Sequence, residues 1–208
     1  MPRQIELIII KGSPFMRKIG YIVLLVIFAG CSSEQQDQQQ NAQNQMQMQQ
    51  TQRQVELDWK APAEWVKEQP SSNMRVAQYK LPGPGDAAAA ELAVFNFPGT
   101  GGTVEMNLER WYGQFQQPDG SVTQELAEKQ ILSVNGMPST IVYVTGTYLE
   151  AQSGMMMDGP VTERENYAML AAIVETGASP WFFKATGPAE TIDAWRDEFT
   201  AFVKTIQK

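Results

Sequence analysis

The chain has 208 residues, with 16 Lys and Arg against 23 Asp and Glu, a formal net charge of −7, one cysteine and no histidine. The missing histidine removes Ser-His and Cys-His nucleophilic systems, histidine general bases, and the histidine-rich zinc, copper and non-haem iron sites. One cysteine excludes an internal disulfide and a Cys-rich zinc site, and the acidic balance argues against nucleic acid as a partner.

In chain order, the first readable element begins at Met16: "MRKIGYIVLLVIFAG". Arg17 and Lys18 give a basic start, an apolar run follows, and small residues close it. That order is a secretory signal, and the run is shorter than the ~20 apolar residues that span a bilayer. An uncleaved anchor helix is the alternative, but the polar segment that follows carries no Lys/Arg cluster to hold it. Met1–Phe15 adds nothing to a signal, so Met16 is read as an alternative start within a signal segment covering residues 1–30.

The run stops at Phe28-Ala29-Gly30-Cys31. These residues resemble the lipobox of bacterial lipoproteins, with Phe28 standing where Leu is usual. The resemblance implies that Cys31 is diacylated, becomes the first residue after cleavage, and joins the protein to a membrane through its lipid. Ser32 in the next position implies the outer membrane, facing the periplasm, in a Gram-negative cell. The residue type suits the chemistry, because a thiol forms the thioether to a glycerolipid. Two or three acyl chains at ~0.8 kcal/mol per buried methylene then give stable anchoring where one would not. A buried structural cysteine does not suit a place between Gly30 and Ser32. With Cys31 so used, no thiol nucleophile remains.

From Glu34 to Gln54 the chain reads "EQQDQQQNAQNQMQMQQTQRQ", with 12 Gln in 21 residues. No apolar period is present, so the segment cannot offset its ordering entropy, and residues 31–54 are read as a lipidated N-terminus with a disordered tether. As a flexible coil the tract spans on the order of 25 Å. Two other readings are β-aggregation of the Gln tract and Cu(I) binding by Met46 and Met48. Without residues 1–30, 12 Lys and Arg stand against 22 Asp and Glu, a net of −10. That balance also argues against lying flat on anionic lipid.

Residues 55–208 have the length of one domain, large enough to hold a core without disulfides. "VELDWK" (Val55–Lys60) alternates, with Val55, Leu57 and Trp59 on one side, which predicts a strand with one buried face. Strands are also predicted over Arg75–Leu81 and Glu91–Phe97. "QILSV" and "PSTIVYVTGTY" flank Asn135-Gly136, the strongest short hairpin signal. Asn166–Val174 and Trp181–Thr186 flank "ETGASP", a second hairpin. A helix is predicted from Thr103 as N-cap, with Val104, Leu108, Trp111, Tyr112 and Phe115 on one stripe. A second runs from Pro188 with Ile192, Trp195, Phe199, Phe202 and Ile206. The expectation is an α+β fold: about seven mainly antiparallel strands covered by helices, including a long C-terminal one.

The segments "MRVAQYKLPG", "AELAVFNFPGTGG" and "NLERWYGQF", followed by "YAMLAAIV" and "PWFFKATGPAETIDAWRDEFTAFVKTI", resemble uncharacterised bacterial envelope proteins of the PsbP-like and DcrB-like type. The resemblance covers about residues 55–208 and rests on element order. It implies a central antiparallel sheet crossed by a C-terminal helix, and a non-enzymatic binding or scaffold module with an envelope protein as partner.

Three features could carry chemistry. "FPGTGGT" (Phe97–Thr103) is a glycine-rich turn into a helix, but it matches neither GxGxxG nor the P-loop, and reads as a tight turn. "EAQSGMMMDGPVTERE" (Glu150–Glu165) is long for a hairpin loop. Its Met155, Met156 and Met157 would offer thioethers to Cu(I) or an adaptable contact surface. Asp158, Glu163 and Glu165 are candidates for an acid pair, although nothing in the sequence positions them. The expectation is therefore a binding or scaffold domain with no catalytic, cofactor or metal residues. The alternative is a metal- or small-ligand-binding lipoprotein using the methionine-rich loop, and a hydrolase built on loop carboxylates comes third.

Overall fold

The structure is a computed structural model and describes residues 55–151 and 160–208. Strands β1 (Val66–Glu68), β2 (Arg75–Leu81) and β3 (Ala90–Asn96) form an antiparallel meander. Helix α1 (Val104–Tyr112) then carries the chain to the far edge, where β4 (Phe115–Gln116), α2 (Thr123–Leu126) and β5 (Glu128–Val134) follow. A second meander of β6 (Met137–Ala151), β7 (Val161–Glu175) and β8 (Pro180–Pro188) returns, and β8 pairs with β3. Helices α3 (Ala189–Ala194) and α4 (Arg196–Lys204) end the chain. The strand order is β1-β2-β3-β8-β7-β6-β4, with β5 on the same edge of β6 as β4, and every pairing is antiparallel. The domain is an α+β fold, as expected.

Period-two alternation explains why the sheet has two apolar faces. On β7, Ala168, Leu170, Ala172 and Val174 face the C-terminal helices, while Met169, Ala171 and Ile173 face α1. That double burial is why the strand reads as a nearly unbroken apolar run. The first face is closed by Ile192, Phe199, Phe202, Val203 and Ile206. The second is closed by Leu108, Trp111 and Tyr112 of α1 together with Phe115.

Turn chemistry fixes the register. Asn135 (φ 48°) and Gly136 (φ 82°) close a two-residue hairpin between Val134 and Met137, and the Asn135 amide also donates to the Ile206 carbonyl at 2.7 Å. Both residues hold the positive φ that this turn needs. Farther along, the β6–β7 register shifts between Gly146 and Tyr148, opposite Asn166 at φ 55°, a bulge that bends the hairpin. A Cβ at Gly146 (φ 146°) would lie 2.6 Å from the Gln116 carbonyl oxygen, so glycine there admits β4.

Several expectations are corrected. Val55–Lys60 is not a strand: it makes one bridge, Asp58 with Gln207. Its alternation is real, since Leu57 is buried and Trp59 packs its ring 5.4 Å from Phe183, but alternation reports burial and not a pairing partner. The C-terminal helix is broken at Trp195, whose indole donates to the Pro82 carbonyl at 2.8 Å and whose ring meets Trp65 edge-on. Phe115 keeps its apolar role but lies in β4, because α1 ends at Tyr112 and Gly113 caps it. The predicted 150–165 loop is shorter, since β6 continues to Ala151 and β7 begins at Val161. Charged strand ends here lack the alternation of a buried strand. The short β1, β4 and α2 carry no periodic signal and were not expected.

Candidate functional site

Alternation along β8 places Phe182, Lys184 and Thr186 on the α1 face. Phe182 enters the core, where Trp111 meets it edge-on at 6.1 Å. Lys184 stands between Ala93 of β3 and Ala171 of β7, its direct cross-strand neighbours. Two alanines leave room for the lysine stem to lie along the sheet. Its Nζ donates to Gln114 Oε1 at 2.5 Å and sits 5.5 Å from the centre of the Tyr148 ring. Tyr148 stacks in turn on Tyr167 at 6.2 Å.

Charge gathers around this lysine from separate elements. Arg75 of β2 lies against the Phe95 ring and pairs with Glu91 of β3 at 2.7 Å. Its Nη1 also donates to Gln78 Oε1 at 2.7 Å. Arg110 of α1 donates to Asn107 Oδ1 at 2.7 Å. No carboxylate among the described residues lies within 4 Å of the Lys184 ammonium. Burial, followed by the positive charges of Arg110 and Arg75, pushes Lys184 down to about 7. Burial, then Glu150 and Glu91, raises Tyr148, so its phenol keeps its proton. The arrangement is a cluster of three cations beside aromatic rings, with the Lys184 ammonium buried and Arg110 exposed, and of the three only Arg75 is paired with a carboxylate.

A cleft of about 470 Å³ runs between β5, β6 and α4. Tyr143 donates to Asp193 Oδ1 at 2.5 Å, and the Arg196 guanidinium lies 3.9 Å over the Tyr143 ring while pairing with Glu128 at 2.5 Å. Burial and the Asp193 hydrogen bond raise the Tyr143 phenol. Every charge in this chain of contacts has a partner, which makes it a strap between helix and sheet.

The residues singled out in the sequence separate. Cys31, Met46, Met48, the Met155–Met157 run and Asp158 lie outside the described residues. Glu163 and Glu165 stand exposed on β7, not in a loop, and Glu163 pairs across the ribbon with Leu149. Met137 and Met169, the two strand methionines nearest that run, are both fully buried and on opposite faces of the sheet. In "FPGTGGT", Thr103 Oγ1 accepts from the Met106 amide at 3.2 Å. Asn107 Nδ2 donates to the Gly101 and Thr103 carbonyls, both at 2.7 Å, so the turn is satisfied by its own helix. Sequence reasoning missed Lys184, whose one signal was a lone cation inside the aromatic strand "WFFKAT".

No protein-family profile and no curated protein matches the sequence. Among solved structures, the chain is similar to a Pseudomonas aeruginosa protein of unknown function, PA94, at 10% identity and a TM-score of 0.44. The match covers 70% of this chain and 98% of that one.

Proposed function

We propose that the chain is a lipid-anchored protein of the bacterial cell envelope whose α+β domain binds a partner and catalyses no reaction. The observation that carries this reading is the position of the sole cysteine, at the end of the apolar run in Phe28-Ala29-Gly30-Cys31. The partner is an envelope protein, and the anchor faces the periplasm from the outer membrane if the cell is Gram-negative. The fold is compatible with presentation to a partner. Pairing with β8 stops at Tyr167, yet the β6–β7 ribbon runs on to Ala151 and Val161, carrying exposed Glu150, Glu163 and Val161 past the helix-covered sheet. Ribbons of this kind give a partner an accessible surface.

Cys31→Ser tests the anchor, because no other residue can form the thioether. The expected result is an unprocessed precursor or protein released to the soluble fraction. A variant that still fractionates with membranes at unchanged mass would overturn the reading. Crosslinking the wild-type chain in membranes, followed by pull-down, then identifies the partner.

A further inference from the structure

We propose that the cluster of Lys184, Gln114, Arg110 and Arg75 is a binding site for an oxyanion group, a carboxylate or a phosphate, on a small ligand. This inference concerns the folded domain and holds whether or not Cys31 carries lipid. Three observations support it. First, three cations converge from β2, β8 and α1. Arg75 lies against Phe95 and Glu91, which flank Ala93, the cross-strand neighbour of Lys184. Lys184 reaches Gln114 just beyond the helix that carries Arg110, in a chain whose residues 31–208 carry a net charge of −10. Structural cations in such a chain have carboxylates to pair with, yet the Lys184 ammonium meets a neutral amide and an aromatic face. An ammonium has three donors, and Gln114 takes one of them.

Second, the partners of the two arginines leave donors over. Arg75 uses Nη1 on both Glu91 and Gln78, and Arg110 uses Nη2 on Asn107, so each fork keeps further N–H groups. Third, the site is walled but not sealed. Phe95, Tyr148 and Tyr167 are partly buried surfaces beside it, and the Lys184 ammonium is buried behind them, whereas Arg110 is exposed on α1 and Arg75 keeps part of its guanidinium in solvent. Partial removal from water strengthens a charge–charge contact while leaving a path for a ligand.

The groups facing Lys184 set a second property. Arg75 on β2, Arg110 on α1, Glu91 on β3, Tyr148 on β6 and Tyr167 on β7 are the charged or titratable neighbours, and after burial the charges that act on the amine are the two cations. An arriving anion offsets both, so the amine takes up a proton as the ligand binds. Above about pH 7, binding is therefore coupled to proton uptake and weakens as pH rises.

Isothermal titration of the full chain at pH 8 tests this, with inorganic phosphate and acetate as separate probes in two buffers of different ionisation enthalpy. The expected result is saturable one-to-one binding of at least one probe, with a buffer-dependent heat that reports proton uptake. The probe that binds identifies the group as phosphate or carboxylate. Lys184→Met should weaken binding at least tenfold. Lys184→Arg should retain binding without the buffer-dependent heat, because its cation does not titrate in this range. Lys129→Ala, a change on the exposed β5 strand, should alter neither. No saturable binding of either probe at ~10 mM, well above a millimolar Kd, would overturn the proposal. So would equal binding by wild type and Lys184→Met. An intact cooperative unfolding transition in each variant excludes misfolding as the cause of a loss.

Discussion

Lys184→Met converts the buried amine into a stability measurement. In the folded domain the amine sits at about 7, against an ordinary 10.5. The unfolded chain therefore binds more protons than the folded chain between these two values. Stability from this group is lowest below pH 7 and rises with pH through the window. From pH 7 to pH 9 the ceiling is ~2.7 kcal/mol, at ~1.36 kcal/mol per pKa unit. Relaxation of the buried site around the charged amine reduces that to roughly 1–2 kcal/mol, or about 3–6 °C in Tm for a domain of this size.

Methionine matches the stem in length and does not titrate. The variant should gain most over wild type at pH 6, with the advantage shrinking by about 1–2 kcal/mol at pH 9. Lost contacts to Gln114 and the Tyr148 ring, ~1 kcal/mol each, lower the advantage at both pH values and leave its pH dependence intact. A chain without histidine suits the measurement, because few other side chains titrate between pH 6 and 9. Thermal unfolding of both proteins, followed by circular dichroism at the two pH values, gives the result. Parallel responses of wild type and variant to pH would refute the reasoning, since the amine would then have its ordinary affinity for protons.

Two further substitutions probe other parts of the chain. Gly146→Ala should cost about 2–3 kcal/mol, because its Cβ would meet the Gln116 carbonyl oxygen at 2.6 Å on a backbone at φ 146°; an unchanged midpoint in urea would show that β4 does not pack as tightly as its geometry indicates. Changing Met155, Met156 and Met157 together to Leu should leave Cu(I) affinity unaltered in competition with a chelator, since Met137 and Met169 are buried on opposite faces and neither can complete a thioether set. A one-to-one copper site lost in the triple variant would instead favour the metal-binding alternative.

What the sequence made legible was local. Asn135-Gly136, Thr103 and the stripe from Ile192 to Ile206 each carry their signal within a few residues, and each has its expected role. Long-range placement was not legible. Val55–Lys60 has the alternation of a strand, but its counterpart at Gln207 is almost the whole chain away and supplies one bridge. Trp195 fits a helical stripe, and only the Pro82 carbonyl and Trp65 explain why the helix breaks there. The cation cluster needs three strands in register. Arg75 reaches it because it pairs with Phe95, which pairs with Phe182, two residues from Lys184. Period-two spacing fixes which face Lys184 occupies, but it cannot say which strands lie alongside.

The position of Lys184 also follows from how unevenly the second face is covered. Helix α1 packs over β6, β7 and Phe182 of β8, whereas the β2–β3 half of that face presents Gln78, Lys80 and Glu91. Lys184 stands on the line between the two. Deeper under α1, an ammonium with no carboxylate would be too costly to hold, and the chain would carry an apolar residue there. Farther toward β2 it would be an ordinary solvated lysine. On the boundary, desolvation lowers its proton affinity while the neighbouring Arg75 and Arg110 stay open to solvent. The domain's surplus of acid does not cancel this local field. At physiological ionic strength, charges more than ~8 Å away are largely screened, so an oxyanion at the cluster meets Lys184, Arg75 and Arg110 before it meets the net charge of the chain.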